Sequence, residues 1–527
     1  MKFNIFIRLG VKGLFLLVFF TKSMPFWGFE SMLQDSVKTA TRIKILKADV
    51  ILRDMSQPDV QRLVGGVSLQ FKEVFLFCDS AWRYDDGRFK TMGRVRMHDE
   101  LNVMTAEVME VNPTLQSTRA GSKDSDSVVM KGPQGESRSP TLFYDMDQRT
   151  VRYELGGVLM QEDTRMVFDR GQWNEVSSTL MLGGHVAIDD GQDLILSDSL
   201  HLLQADRRVA FFGKSVVMSK DSSLELHCGR GQYSSALRSG WFGGGSSSEP
   251  AWVRQESMLL QGDSLILPAD SLAPREAWGH VILRDTSEHW RLEGVRAKQI
   301  MHPMGAQRGA SILVGNEDMP ALLTDASGED TLYVQADTLQ LESKSIRAWP
   351  HVKLEQGASM ATCDTLIWNE LDSLIQLRHE PLMWMEGQFL RADSVTMTMV
   401  QNTPDRLHAW GHVGLMYPAG DSCYQQIAGR DLQGLFRMGK LKEIEVVGNA
   451  ELVYFDAESE EIPCGEFNRA ACSRLRIELD NGQAKTIALL DDPAGVWTSW
   501  SSREVSPIIE SLRWQNPPLP ISGSTIH

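Results

Sequence analysis

The chain has 527 residues, with 53 basic against 69 acidic side chains and a formal net charge of −16. Apolar and charged fractions of 42% and 23% allow a large buried core and argue against disorder. That acidity and the lack of a basic block argue against nucleic acid and anionic membrane surfaces as partners. The first feature in chain order is export-like. Lys2, Arg8 and Lys12 precede an uncharged run, Gly13 to Thr21, that is apolar from Leu14 to Phe20. That is the positively charged head and short apolar stretch of a secretory signal. The run falls short of the about 20 residues that span a bilayer. Ser23, Gly28 and Ser31 are small residues suited to cleavage, but no clean A-x-A follows. Residues 1–30 are therefore read as a signal peptide or a retained N-terminal anchor, and the mature chain is predicted to be soluble outside the cytoplasm.

From about residue 45 two half-patterns alternate. One is small–Asp–x–apolar–x–apolar, at Ala48-Asp49, Cys78-Asp79, Ser197-Asp198, Gly262-Asp263, Ala336-Asp337, Cys363-Asp364 and Ala392-Asp393. The other is Gly–x–Val–x–Leu, at Gly65/Val67/Leu69, Gly93/Val95/Met97, Gly156/Val158/Met160, Gly184/Val186/Ile188, Gly279/Val281/Leu283, Gly411/Val413/Leu415 and Gly448/Ala450/Leu452, with Pro350/Val352/Leu354 as a variant. Both have period two, which is the strand period and not the helical one. Asp85-Asp86-Gly87 and Asn481-Gly482 supply turn chemistry between strands. The recurring Asp is read as a structural corner or strand end, since paired catalytic carboxylates would not repeat along a whole chain.

Units recur every 27 to 44 residues or so. Polar, Ser/Gly/Pro-rich stretches at 117–140, 238–250 and 303–330 read as insertions or sub-domain breaks. The predicted division is 45–220, 221–330 and 331–500, followed by a Pro-rich tail over 501–527. One apolar stripe per strand calls for two sheets facing each other, apolar faces inward. Roughly a dozen stacked strand pairs would give a body on the order of 60 Å long.

No motif carries chemistry. Phe212-Gly213-Lys214-Ser215 resembles the end of a phosphate-binding loop, but Arg208 stands where the upstream Gly is required. G-x-S-x-G, H-E-x-x-H and C-x-x-C are absent, so no catalytic residue, metal or cofactor is assigned. Cys78, Cys228, Cys363 and Cys472 occupy the slot held elsewhere by Ala, Ser or Gly and are read as buried small residues. Cys423 and Cys464 lie outside that slot and are the candidate disulfide pair. His280 and His412 fall at the x of Gly–x–Val and are predicted to point outward.

Five segments are more specific. Asp59-Val60-Gln61-Arg62-Leu63-Val64-Gly65-Gly66-Val67 is followed by Phe77-Cys78-Asp79-Ser80-Ala81. Gln426-Ile427-Ala428-Gly429-Arg430, Val446-Val447-Gly448-Asn449-Ala450-Glu451 and Asn468-Arg469-Ala470-Ala471-Cys472 come later in the same order. This order resembles the OstA/LptA-like family, in particular the long OstA-like proteins of Bacteroidetes, with Gly65-Gly66-Val67 departing from the usual Gly-Asn-Val. The resemblance implies an all-β, repeat-built open β-jelly-roll or folded-sheet groove of two or three consecutive segments. It implies a periplasmic protein, with outer-membrane association left open, that shelters lipopolysaccharide acyl chains during outer-membrane assembly. Burying one methylene is worth about 0.8 kcal/mol, so a long acyl chain carries on the order of 10 kcal/mol that water will not accept.

The groove candidates are the stripe residues Val67, Leu69, Val95, Met97, Val281, Leu283, Leu339, Leu341, Val352, Leu354, Leu366, Trp368, Val395, Met397, Val413 and Leu415. Composition and period two alone favour a filled core over lipid contact; with the resemblance the groove becomes the preferred reading, with some copies of the stripe still pure core. The implied partners are lipopolysaccharide or a related lipid, a separate outer-membrane β-barrel translocon and inner-membrane transport components; a homo-oligomer stays open. The rival readings are a parallel β-helix envelope enzyme or adhesin, and a lipid-free assembly scaffold.

Overall fold

The computed structural model describes residues 42–521 apart from 54, 56–57, 122–127, 134, 204–207, 245–248, 271–272, 301–309, 386, 402, 421–422, 456–465, 481–482 and 500–507. The signal segment, Cys464 and the Asn481-Gly482 turn lie outside the described residues. Those described contain strands and turns and no helix.

Strand pairing is antiparallel throughout, which overturns the parallel β-helix reading. Strands run back and forth as successive rungs: Val60–Phe71, Val74–Tyr84, Phe89–His98 and Val103–Asn112 pair in chain order. Many later rungs are two short strands on either side of a break, as with Leu332–Ala336 and Thr338–Glu342. The 44 strands thus form about 28 rungs, and at about 4.8 Å per rung the stack is on the order of 130 Å long. That is about twice the length expected from the repeats. Rungs with corners at Pro140 or Gly229 lack a good copy of either half-pattern. The ladder continues through turns at 220–224 and 326–331, where the sequence suggested segment boundaries.

Every rung bends at its middle. The register slips between Val64 and Val67, Gly183 and Val186, Trp278 and Val281, and Trp410 and Val413. These slips are β-bulges that turn the strand through a corner, and they split the sheet into two facing walls. Each half-pattern belongs to one wall. Residues after a corner Gly, such as Val281 and Leu283, line what we call the Gly wall. Residues after a corner Asp, such as Leu339 and Leu341, line the Asp wall. Neighbouring rungs cross the corner in opposite directions, which is why the two patterns alternate along the chain.

The corner chemistry follows from close approach. Gly279 has φ +68° and Gly411 φ +75°, and a Cβ built on them would lie 2.2 and 2.1 Å from Oδ2 of Asp263 and Asp393. The Asp263 and Asp393 amides donate to the Gly279 and Gly411 carbonyls at 2.9 Å. The next residue, also at positive φ, returns a base to the carboxylate: Arg94 to Asp79 at 2.8 Å, and Nδ1 of His185, His280 and His412 to Asp169, Asp263 and Asp393 at 2.7, 3.2 and 3.0 Å. The structural reading of the repeated Asp and the outward direction of His280 and His412 hold.

Cys78, Cys228, Cys363 and Cys472 are buried free thiols, and burial pushes the Cys363 pKa up to about 12. Ala336 and Ala392 fill the equivalent slot in other rungs, so Cys363→Ala is expected to cost no more than about 1 kcal/mol, far from the about 2–5 kcal/mol of a lost disulfide. Urea unfolding midpoints of the two proteins would check this. Cys423 is disulfide-bonded.

The C-terminal segment is more than a tail. Ile509 and Leu512 pack on the outer surface of the Gly wall against Trp384, Phe389, Met416 and Val453. The Trp384 indole donates to the Gln515 carbonyl at 2.8 Å, Arg391 to the Ser511 carbonyl at 3.0 Å, and the Ile509 amide to Oε1 of Gln426 at 2.8 Å. The strap continues to Ile521, whose amide meets Glu355.

Candidate functional site

The space between the walls is the one feature that runs the length of the molecule. A single apolar cluster fills it from Leu63 to Leu479. All sixteen stripe residues join it: Val67, Leu69, Val95, Met97, Val281, Leu283, Leu339, Leu341, Val352, Leu366, Val395, Met397, Val413 and Leu415 are buried, and Leu354 and Trp368 pack half-buried against it. The walls meet over these side chains, so the slot is closed along most of its length. The corners shut one side. The other side is a seam where turns from the two walls face each other.

That seam carries polar latches. Near the N-terminal end, the Tyr144 hydroxyl of the Asp wall donates to Oδ2 of Asp99 on the Gly wall at 2.9 Å. Beside it the Asn102 amide donates to Oε1 of Glu175 at 2.8 Å, and Arg149 faces Glu100 at 3.5 Å. Lys72 donates to Gln116 across the same gap. The motif returns farther along. The Tyr233 hydroxyl donates to the buried Asp193 at 2.8 Å, while Arg238 lies 3.9 Å from Asp193 and donates to Ser223 at 3.2 Å. Arg275 reaches Gln255 across the next stretch. Burial raises the pKa of both tyrosines and of Asp193 and Glu175.

The latches escaped sequence reading because their partners sit 45 and 40 residues apart on different turns. The only trace is an inward-phase Tyr just before a turn.

Glu175 gives the latch a pH dependence. Its folded pKa is raised by burial, so its favourable contribution is full below the ordinary carboxylate pKa and is lost as pH rises through the raised value. Glu175→Gln is expected to melt above the parent at about pH 8, with the gap closing towards about pH 4. Parallel thermal melts of the two proteins decide it.

Toward the C-terminal end the seam changes character. Met383, Met385, Gln388, Leu390 and Leu415 of the Gly wall face Leu407, Leu432, Phe436, Leu441 and Ile444 of the Asp wall around an apolar void of about 30 Å³. No latch pair occurs among these residues.

Bent antiparallel rungs enclosing one apolar slot define a β-jelly-roll groove protein. Residues 40–198 match the family described as OstA-like protein. The solved structure of LptH from Pseudomonas aeruginosa, described as the LptA-homologous periplasmic component of the lipopolysaccharide transport device, is similar at 16% identity. The match covers 21% of this chain and 75% of that one, with a TM-score of 0.19. No curated protein matches the sequence.

Proposed function

We propose that this chain is a periplasmic, non-catalytic component of lipopolysaccharide transport that shelters acyl chains between its two walls. The observation that carries the reading is the continuous apolar interior, lined by the same stripe in rung after rung with only a few buried hydroxyls such as Thr91 and Thr118 among it. A folded protein needs a core, but a stack of this length with one uninterrupted core is also the shape that shields a linear hydrocarbon. Passive exchange of water-exposed methylenes for wall contacts supplies the driving force, at about 0.8 kcal/mol per methylene. The OstA-like match and the naming of LptH as a transport-device component support the same direction.

Partners fit at the ends. Among the described residues the first strands, Lys44–Lys47 and Val50–Arg53, and the last, Ala494–Ser499, pair on one side only, so inner-membrane transport components or a separate outer-membrane barrel could add strands there. Protein extracted from envelope membranes and analysed by native mass spectrometry is expected to carry lipopolysaccharide or lipid A. Lipid-free protein that also takes up none from lipopolysaccharide micelles would favour the assembly-scaffold reading.

A further inference from the structure

We infer that hydrocarbon chains pass into and out of the interior sideways, through the seam between Met385/Gln388 and Phe436/Leu441, and not through the latched seam between Lys72 and Arg275. The inference rests on the lipid-sheltering reading of the interior and adds where that interior opens.

Three observations converge on this place. First, the closing chemistry differs. From Lys72 to Arg275 the facing turns are joined by the Tyr144–Asp99, Asn102–Glu175, Tyr233–Asp193 and Arg275–Gln255 pairs. Opening there would strand partly buried carboxylates and hydroxyls, at a cost of about 1–3 kcal/mol for each unsatisfied group. At the C-terminal seam the lining is carbon and sulfur except for Gln388 and the backbone. Parting those walls exposes only apolar surface, which an incoming alkyl chain covers again.

Second, the void is continuous with the interior: Met383, Leu390, Leu407, Leu415 and Leu432 belong to the apolar cluster that runs the length of the slot. At about 30 Å³ it holds roughly one methylene, so an alkyl chain needs the side chains at the lip to turn aside. Met383 and Met385 are unbranched and adapt at little cost.

Third, the two lips are supported differently. The Gly wall is buttressed from outside by the strap, through Arg391 to Ser511 and Trp384 to Gln515. The facing turn of the Asp wall ends in Met438, which is fully exposed, so movement falls on the Arg437–Lys440 turn. The occupant is an alkyl chain because the side chains lining the void itself are carbon and sulfur apart from Gln388.

The test uses full-length protein, uptake of a fluorophore-labelled dodecyl chain, and a short bis-maleimide. The native free thiols are buried, so labelling falls on introduced ones. Linking Gln388→Cys to Leu441→Cys is expected to slow uptake about tenfold or more, whereas linking Glu100→Cys to Arg149→Cys, an exposed pair across the latched seam, leaves it within about twofold. Each linked protein is compared with its own unlinked double variant, so that the effect of the link is read apart from that of the substitutions. Uptake indifferent to the 388–441 link, or blocked only by the 100–149 link, overturns the port and leaves the sheltering function standing. An unlinked parent that takes up no chain overturns both.

Discussion

Leu283→Asp is expected to break the stack at its middle, the largest effect of any single substitution considered. Leu283 is fully buried on the Gly wall and pairs in register with Leu260 and Leu292 on the neighbouring rungs. A carboxylate there has no partner and no water, and the protein must either neutralise it or part the walls; the expected cost exceeds about 4 kcal/mol. The next residue provides the control. Arg284 lies on the outer face, and Arg284→Asp should leave stability within about 0.5 kcal/mol. In a stacked array each rung contacts only its neighbours, so the damage should be local. Limited proteolysis is expected to cut Leu283→Asp protein between about residues 258 and 300 while the flanking stacks persist. Equal protease resistance in the two variants would mean that the walls do not meet over this position.

Gly411→Ala is expected to cost about 3 kcal/mol, through two effects that can be separated. At φ +75° a Cβ is intrinsically unfavourable by about 1–2 kcal/mol. The same Cβ would lie 2.1 Å from Oδ2 of Asp393, forcing that carboxylate away from its hydrogen bond to His412. Asp393→Ala removes the contacts with Oδ2 and Cγ and leaves the one with Cβ at 2.8 Å together with the backbone strain. The double variant should therefore be less destabilised than the sum of the singles by about 1 kcal/mol or more. Hydrogen exchange on the amides of Ser394–Val400 and Thr403–Gly420 is the right readout, because a long array does not unfold in one step. Strict additivity would show that the Asp does not sit beneath the Gly.

These two residues mark what the sequence conveys and what it hides. The alternation at Val281 and Leu283 is visible directly, because period two in a strand assigns faces. The recurrence of Gly279 and Asp263 is visible too, but their partnership is not, since the corner bonds join one rung to the next. Rung number is understated by the sequence because a corner can be made by Pro140 or Gly229, neither of which gives a good copy of the motif. Whether Leu415 faces core or cavity lies beyond periodicity, which specifies a side and never the distance to the opposite wall. The latches and the strap depend on turns and on Ile509, Leu512 and Trp514, three apolar residues in a stretch with no repeat.

The central claim is that the stripe side chains meet acyl chains, and site-specific photo-crosslinking tests it most directly. A photoreactive residue would replace Leu415, Leu341 or the outward His412 in turn, and each protein would be irradiated in cells making lipopolysaccharide. Lipopolysaccharide adducts at 415 and 341, with none at 412, are the result predicted here. Adducts at 412 alone, or at none of the three in protein that folds normally, would contradict it.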